Sequence, residues 1–263
     1  MKGFAILASA TVLTLAVVSS PAYAAVEAQF TPDTNANDYA WIQSAGGTGG
    51  HFTSLGTAGP IVGCTNCVAT HFSFLDPSLS ALAFIPTTFQ LDATAPEGNP
   101  ASVNGVGVWA QTGIDGNFKF TYFDSTKAIG STQTFGGHSL VNGVTNLLSG
   151  IFTGAWIQGA GGSGSANVTI ANGGHLVLAS DELTFENIDT ATEEFALNLL
   201  SVTPNFGAAP GKSLNSFVAN GGGNFSATPL PVPEAATWTL MIVGFGGMGA
   251  VLRNRRRLAP ASV

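Results

Sequence analysis

The sequence predicts an all-β body, a β-sandwich or jelly-roll-like domain over residues 25–230. Three observations carry that expectation. Long helical periodicity is nearly absent. Short runs rich in Phe, Val, Ile and Thr recur instead, broken by Gly, Asn, Asp and Pro, which is the rhythm of strands between turns. Glycine numbers 34 of 263 residues, and only 9% of the chain is charged. An ordinary soluble domain carries roughly 25% charge. So few basic residues exclude a phosphate-reading nucleic-acid face, and so few charges exclude a coiled coil. The 45% hydrophobic content excludes charge-driven disorder.

The elements follow in chain order. Residues 1–24 read as a secretory signal peptide: Lys2, an uncharged run from Phe4 to Val18, and the small-x-small pair Ala22 and Ala24 around Tyr23. Signal peptidase and the general secretion machinery are the implied partners, with a mature start at Ala25. Trp41 to Gly49 reads as a strand entering a Gly-rich loop. It is echoed by Trp156 to Gly164, identical at seven of nine positions. Either a duplication or convergent strand-turn composition accounts for the echo, and paired Trp-Gly loops would suit a ligand platform.

Cys64 and Cys67 are the two cysteines. In an oxidising compartment their C-x-x-C spacing favours a local disulfide over a redox pair or zinc, for which His71 would be only a third ligand. Pro77 to Ala83 is the single plausible helical stretch. Val106 to Trp109 reads as a strand before the turn-like Gly113-Ile114-Asp115-Gly116. Phe118, Phe120 and Tyr122 carry aromatics at strand spacing. Asn167–Ile170 and His175–Leu178 flank Ala171-Asn172-Gly173-Gly174, a hairpin signal. Phe195 to Leu200 opens in alternation.

No residue set reaches a catalytic assignment, and no G-x-S-x-G elbow is present. His51, His71, His138 and His175 are scattered. The acidic run Asp181, Glu182, Glu186, Asp189, Glu193 and Glu194 has three readings: a solvated edge, a glycosidase-type carboxylate pair, or calcium ligands. Asp33 to Asp38 begins like a calcium loop but has Asp38 at the glycine position and Ser44 at the bidentate position. The expectation is therefore no cofactor and no assigned metal ligand, with calcium the one ion worth testing.

The chain closes on a second apolar segment. Ala235 to Leu252 holds no charge and would span roughly 27 Å as a helix, enough for a bilayer core. Arg253, Arg255, Arg256 and Arg257 follow and would stay cytoplasmic. With the signal peptide, this predicts a single-pass inner-membrane precursor. Gly244 to Gly249 fits G-x-G-x-x-G, but inside an apolar segment with the end 14 residues on it suits helix–helix contact rather than a dinucleotide.

Pro233, Glu234 and Trp238, the apolar Gly-rich segment and the Arg cluster together resemble the PEP-CTERM sorting signal, in the version with a Trp four residues after the Glu. The resemblance assigns residues 231–263 to the signal, with the box at 233–238, the transmembrane helix at 235–252 and the arginines at 253–257. It departs at Ala235, where the family has a second proline. The family occurs on exported proteins of Gram-negative, exopolysaccharide-making bacteria, in a biofilm setting. It implies an exosortase as processing partner and a final location at the cell surface or in the extracellular matrix. The body is also similar to exported proteins with this tail in the stretch Phe72 to Pro77 and in Ser216-Phe217 and Asn224-Phe225-Ser226, which bears on fold and location. The expected function is an exported structural or adhesive protein of an exopolysaccharide matrix. A carbohydrate-binding module, calcium-dependent in one form, is the alternative, followed by a secreted glycan-active enzyme.

The formal net charge of −7 hides an asymmetry. Residues 25–234 hold all fifteen acidic residues and three lysines, a net −12. Such a body repels anionic polymers unless divalent cations bridge them.

Overall fold

Alternating aromatics build the molecule from the inside. Phe118, Phe120 and Tyr122 point one way and are fully buried, while Lys119 between them points out. The same alternation places Phe195, Leu197 and Leu199 inside. These runs lie on long strands in a computed structural model. It describes residues 25–229, apart from 34–36, 57–63, 65 and 184–187. The strands are β1 (Ala25–Pro32), β2 (Tyr39–Gln43), β3 (Gly50–Ser54), β4 (Val68–Phe74), β5 (Ile85–Ala95), β6 (Ser102–Val103) and β7 (Val108–Tyr122). They continue with β8 (Thr132–Phe135), β9 (His138–Val141), β10 (Asn146–Ala160), β11 (Ser165–Ala179), β12 (Ile188–Thr203) and β13 (Phe217–Pro229). A 3-10 helix, Pro77–Leu82, occupies the expected helical stretch. Asp76 caps it by accepting from the Ser78 N–H at 2.7 Å, and Pro77 stands at its first position.

The body is all-β, as expected, and its large sheet is antiparallel throughout. The pairings add a topology that the composition does not show. β1 and β2 run in the same direction along one edge of β13, as two halves of one interrupted strand. β3 and β4 do the same along β5. With each half-pair taken as one strand, the order is a meander: β1/β2, β3/β4, β5, β7, β10, β11, β12, β13. β13 then pairs back onto β1, from Ala25↔Ala227 to Phe30↔Gly223, and the sheet closes on itself. The result is an eight-position, up-and-down, flattened barrel rather than the Greek key of a jelly roll. Its opposed walls meet as those of a sandwich do. Phe30 of β1 lies 5.0 Å from Phe89 of β5 and 4.7 Å from Phe120 of β7, and Phe118 lies 4.9 Å from Phe195 of β12 (ring centroids). Phenylalanine fills the lumen, the reverse of a membrane barrel, whose apolar side chains face outward.

Two local expectations are corrected. Ala171-Asn172-Gly173-Gly174 is not a hairpin turn. Both flanks pair with the same strand, Thr153↔His175 and Ala155↔Ile170, so the four residues form a bulge within β11. Opposite them stands Gly154, whose φ of +71° suits glycine. Likewise Gly113 to Gly116 is a bulged part of the 15-residue β7 rather than a turn between strands.

Gly221, Gly222 and Gly223 mark the point where the edge of β13 passes from β2 to β1. A Cβ on Gly223 would stand 2.4 Å from the Ala196 carbonyl oxygen and 2.8 Å from the Phe30 ring. Only glycine lets β12, β13 and β1 approach this closely.

The barrel has two unlike ends. At one, Ala25 and Pro229 lie together, and the chain leaves for its last segment. The 3-10 helix and the β8–β9 hairpin cover this end, burying Leu79, Leu82 and Leu140. β11 and β12 part company towards it: among the described residues they pair only from Ser165↔Leu200 to Thr169↔Ala196. The β2–β3 and β10–β11 loops form the other, distal end.

Candidate functional site

At the distal end, the two echoed segments become the β2–β3 and β10–β11 turns, and residues 204–216 cross both. The Ser213 N–H donates to the Gly47 carbonyl at 2.9 Å, and its hydroxyl donates to the Gly49 carbonyl at 2.6 Å. The Phe206 N–H donates to the Ser163 carbonyl at 2.8 Å, and the Gly162 N–H to the Phe206 carbonyl at 2.8 Å. The echo itself is out of phase. Trp41 is fully buried with its indole N–H on the Leu214 carbonyl at 2.9 Å, and Ile42 is exposed. Trp156 is half-buried with its indole N–H on the Thr169 hydroxyl, and Ile157 is buried. A one-residue slip turns every side chain to the opposite face. The two tryptophans therefore do not form a shared platform.

Beside the β2–β3 turn runs an open groove of about 420 Å³, with Ile42, Ala45 and Pro96 as apolar walls and His51 and Glu97 at its rim. His51 Nε2 lies 2.8 Å from Asp92 Oδ1. Hydrogen bonds from the Ser44 and Thr48 side chains hold the Glu97 carboxyl below its usual range, the Thr48 hydroxyl donating at 2.6 Å. None of Ile42, Glu97 and Asp92 stands out in the sequence. The one signal was the glycine at 46, where a Cβ would stand 2.8 Å from a Glu97 oxygen.

At the waist, where β1 gives way to β2, Asp38 is buried and Asp33 touches His71 of β4, Oδ1 to Nδ1 at 2.5 Å. Burial pushes the Asp38 carboxyl up to about 6, and the charge of Asp33 adds to the rise. Nearby, Cys64 and Cys67 are disulfide-bonded, with Cα atoms 5.8 Å apart. His71 thus faces a carboxylate and not the cysteine pair.

At the tail end, the two described members of the acidic run's start have structural partners. Asp181 accepts from the Asn146 N–H at 2.8 Å, and Glu182 Oε2 lies 2.9 Å from His138 Nδ1. Glu194 stands exposed on β12. Among the described residues, no group of three or more His, Cys, Asp or Glu is gathered as a metal site.

The expected signal peptide with Ala22 and Ala24, the sorting residues Pro233, Glu234 and Trp238, the apolar segment 235–252 and the arginines Arg253, Arg255, Arg256 and Arg257 all lie outside the described residues. No helix among the described residues is long and apolar enough to cross a membrane. Neither a curated protein nor a solved structure matches the chain. A family match falls on the last segment alone, and it implies export to the cell surface and processing by an exosortase. Residues 231–257 are a PEP-CTERM protein-sorting motif, and this chain carries that motif behind an antiparallel β-barrel.

Proposed function

We propose that the barrel is the displayed body of an exported protein with a structural or adhesive role in an exopolysaccharide matrix. In this reading a single-pass inner-membrane precursor is processed at the box around Pro233 and Glu234. The observation that carries the reading is the placement of the two termini. Ala25 pairs with Ala227 at the end that leads into the tail, so the distal loops and their strap face away from the point of attachment. A lumen filled with phenylalanine suits a rigid spacer. Intact mass measurement of the surface fraction of the native host tests processing. The expected species begins at Ala25 and lacks Arg253 to Val263, and a surface species that retains those residues overturns it. For the matrix role, the surface fraction should hold the protein together with polysaccharide and release it when the polysaccharide is digested.

The distal groove favours a second reading, a carbohydrate-binding module. Its apolar walls beside carboxylate and imidazole groups suit the mixed faces of a sugar. Glycan-array binding that is lost in Ile42→Asp would support it. Sugar release by the purified protein would point instead to the glycan-active enzyme.

A further inference from the structure

We propose that the distal groove binds a glycan bearing free, protonated amino groups, an amino-sugar polymer rather than a neutral or acidic one. The proposal deepens the carbohydrate-binding reading above and rests on it. Strand register lays out the surface. Ile42 of β2 pairs with His51 of β3, His51 with Thr94 of β5, and Thr94 with Asp115 of β7. Paired residues share a face, and Ile42, Thr94 and Asp115 are exposed, so the four make one row across the outside of the wall. At about 4.8 Å between strands the row is roughly 14 Å long, more than one sugar ring. Ile42, half exposed, gives it an apolar end on which the C–H face of a sugar can rest.

The carboxylates beside this row supply the charge. Glu97 stands at the groove rim, and its hydrogen bonds from Ser44 and Thr48 keep it ionised. Asp92 lies two positions along β5 from Thr94 on the same face. Its Oδ1 meets His51 Nε2 at 2.8 Å, and its side chain is 59% exposed, so it still presents charge to solvent. Asp115 closes the row, fixed by the Gly154 N–H, which donates to its Oδ1 at 2.8 Å. No lysine or arginine lines the groove. Lys212 is tied to the Gly46 carbonyl at 3.3 Å, and Lys119 lies four residues along β7 from Asp115, about 13 Å away. Residues 25–234 carry a net −12, so an acidic polysaccharide is repelled and an ammonium group is attracted. A neutral sugar gains nothing from this charge.

Glu97 is also held in place. The Gly98 N–H donates to the Thr48 hydroxyl and the Asn99 N–H to the Thr48 carbonyl, each at 3.0 Å, tying the loop after β5 to the β2–β3 turn. Gly46 leaves room for the carboxylate, since a Cβ there would stand 2.8 Å from Oε2. A carboxylate fixed in this way loses little freedom when a ligand arrives.

The test is calorimetric titration of the full chain in mild detergent, near neutral pH, with three probes: hexamers of glucosamine, of N-acetylglucosamine and of galacturonic acid. The glucosamine hexamer should bind, and the galacturonic acid hexamer should not. One exposed charge pair is worth up to about fivefold in affinity, so with two or more pairs the acetylated hexamer should bind at least about tenfold more weakly. Glu97→Gln and Asp92→Asn should each weaken the glucosamine hexamer by up to about fivefold. Glu194→Gln, the same change of charge on β12, should leave it unchanged. Ile42→Ala should weaken both glucosamine hexamers alike. If Glu97→Gln loses its near-ultraviolet circular dichroism, Asp92→Asn decides. Equal affinity for the amino and acetylated hexamers, lowered in Ile42→Ala, overturns the proposal and leaves the carbohydrate-binding reading standing. Equal weakening by Glu97→Gln and Glu194→Gln also overturns it, because the attraction is then to the whole body and not to the groove. Binding of the galacturonic acid hexamer overturns the preference for amines, and binding of none of the three overturns both readings.

Discussion

Phe120→Ala probes whether the lumen is one packed core. Phe120 is fully buried, and four rings from other strands surround it: Phe89 at 4.5 Å, Phe30 at 4.7 Å, Phe72 at 4.8 Å and Phe225 at 5.7 Å. These partners come from β5, β1, β4 and β13, so the ring touches both walls and the closing strand. Removing a buried Phe side chain costs about 3–5 kcal/mol, lost transfer energy and cavity together. The surrounding rings are anchored on four different strands and cannot collapse together into the hole, so about 4 kcal/mol is expected. For a barrel of this size that corresponds to a fall in Tm of about 8–16 °C. Urea unfolding followed by tryptophan fluorescence measures it, with Val106→Ala, on an exposed turn, as a control expected within about 0.5 kcal/mol. A loss below about 2 kcal/mol for Phe120→Ala would mean that the walls do not pack across a single core.

Other outcomes follow from individual contacts. Gly223→Ala should cost about 1–3 kcal/mol in the same unfolding assay, because its Cβ meets the backbone oxygen of Ala196. Asp38 binds its proton more tightly when folded, so the ionised form opposes folding. Wild-type stability should fall as pH rises from about 4 to about 6, and Asp38→Asn should remove that fall, which denaturation midpoints across this window can read. Reducing Cys64–Cys67 releases only a short loop, and the stability lost should be at most about 2 kcal/mol in a comparison with and without reductant.

Some of this was legible in the residues. Phe118, Phe120 and Tyr122 declared their inward face because strand pleating has a fixed period of two. The tail was legible because a sorting motif is linear and needs no partner segment. Closure was not. It depends on Ala25 meeting Ala227, a pairing of the first and last strands that no local pattern records. Ala171 to Gly174 misled because the residues that turn a hairpin are also those that tolerate a bulge. The Trp41 and Trp156 segments misled in another way: identical letters, set one residue out of phase against the pleat, face opposite sides. The burial of Asp38 was not legible, since an aspartate is ordinarily solvated.

The placement of β13 has a mechanical consequence. It is the last strand before the tail, and it is hydrogen-bonded along one edge to β12 and along the other to β2 and then β1. A pull on the tail therefore runs parallel to the strand. It must shear two ladders at once rather than peel one open bond by bond. At about 3.3 Å per residue, 13 residues of β13 distribute such a load over roughly 40 Å of wall. A body tethered through this strand resists drag from outside in the direction in which a sheet yields least.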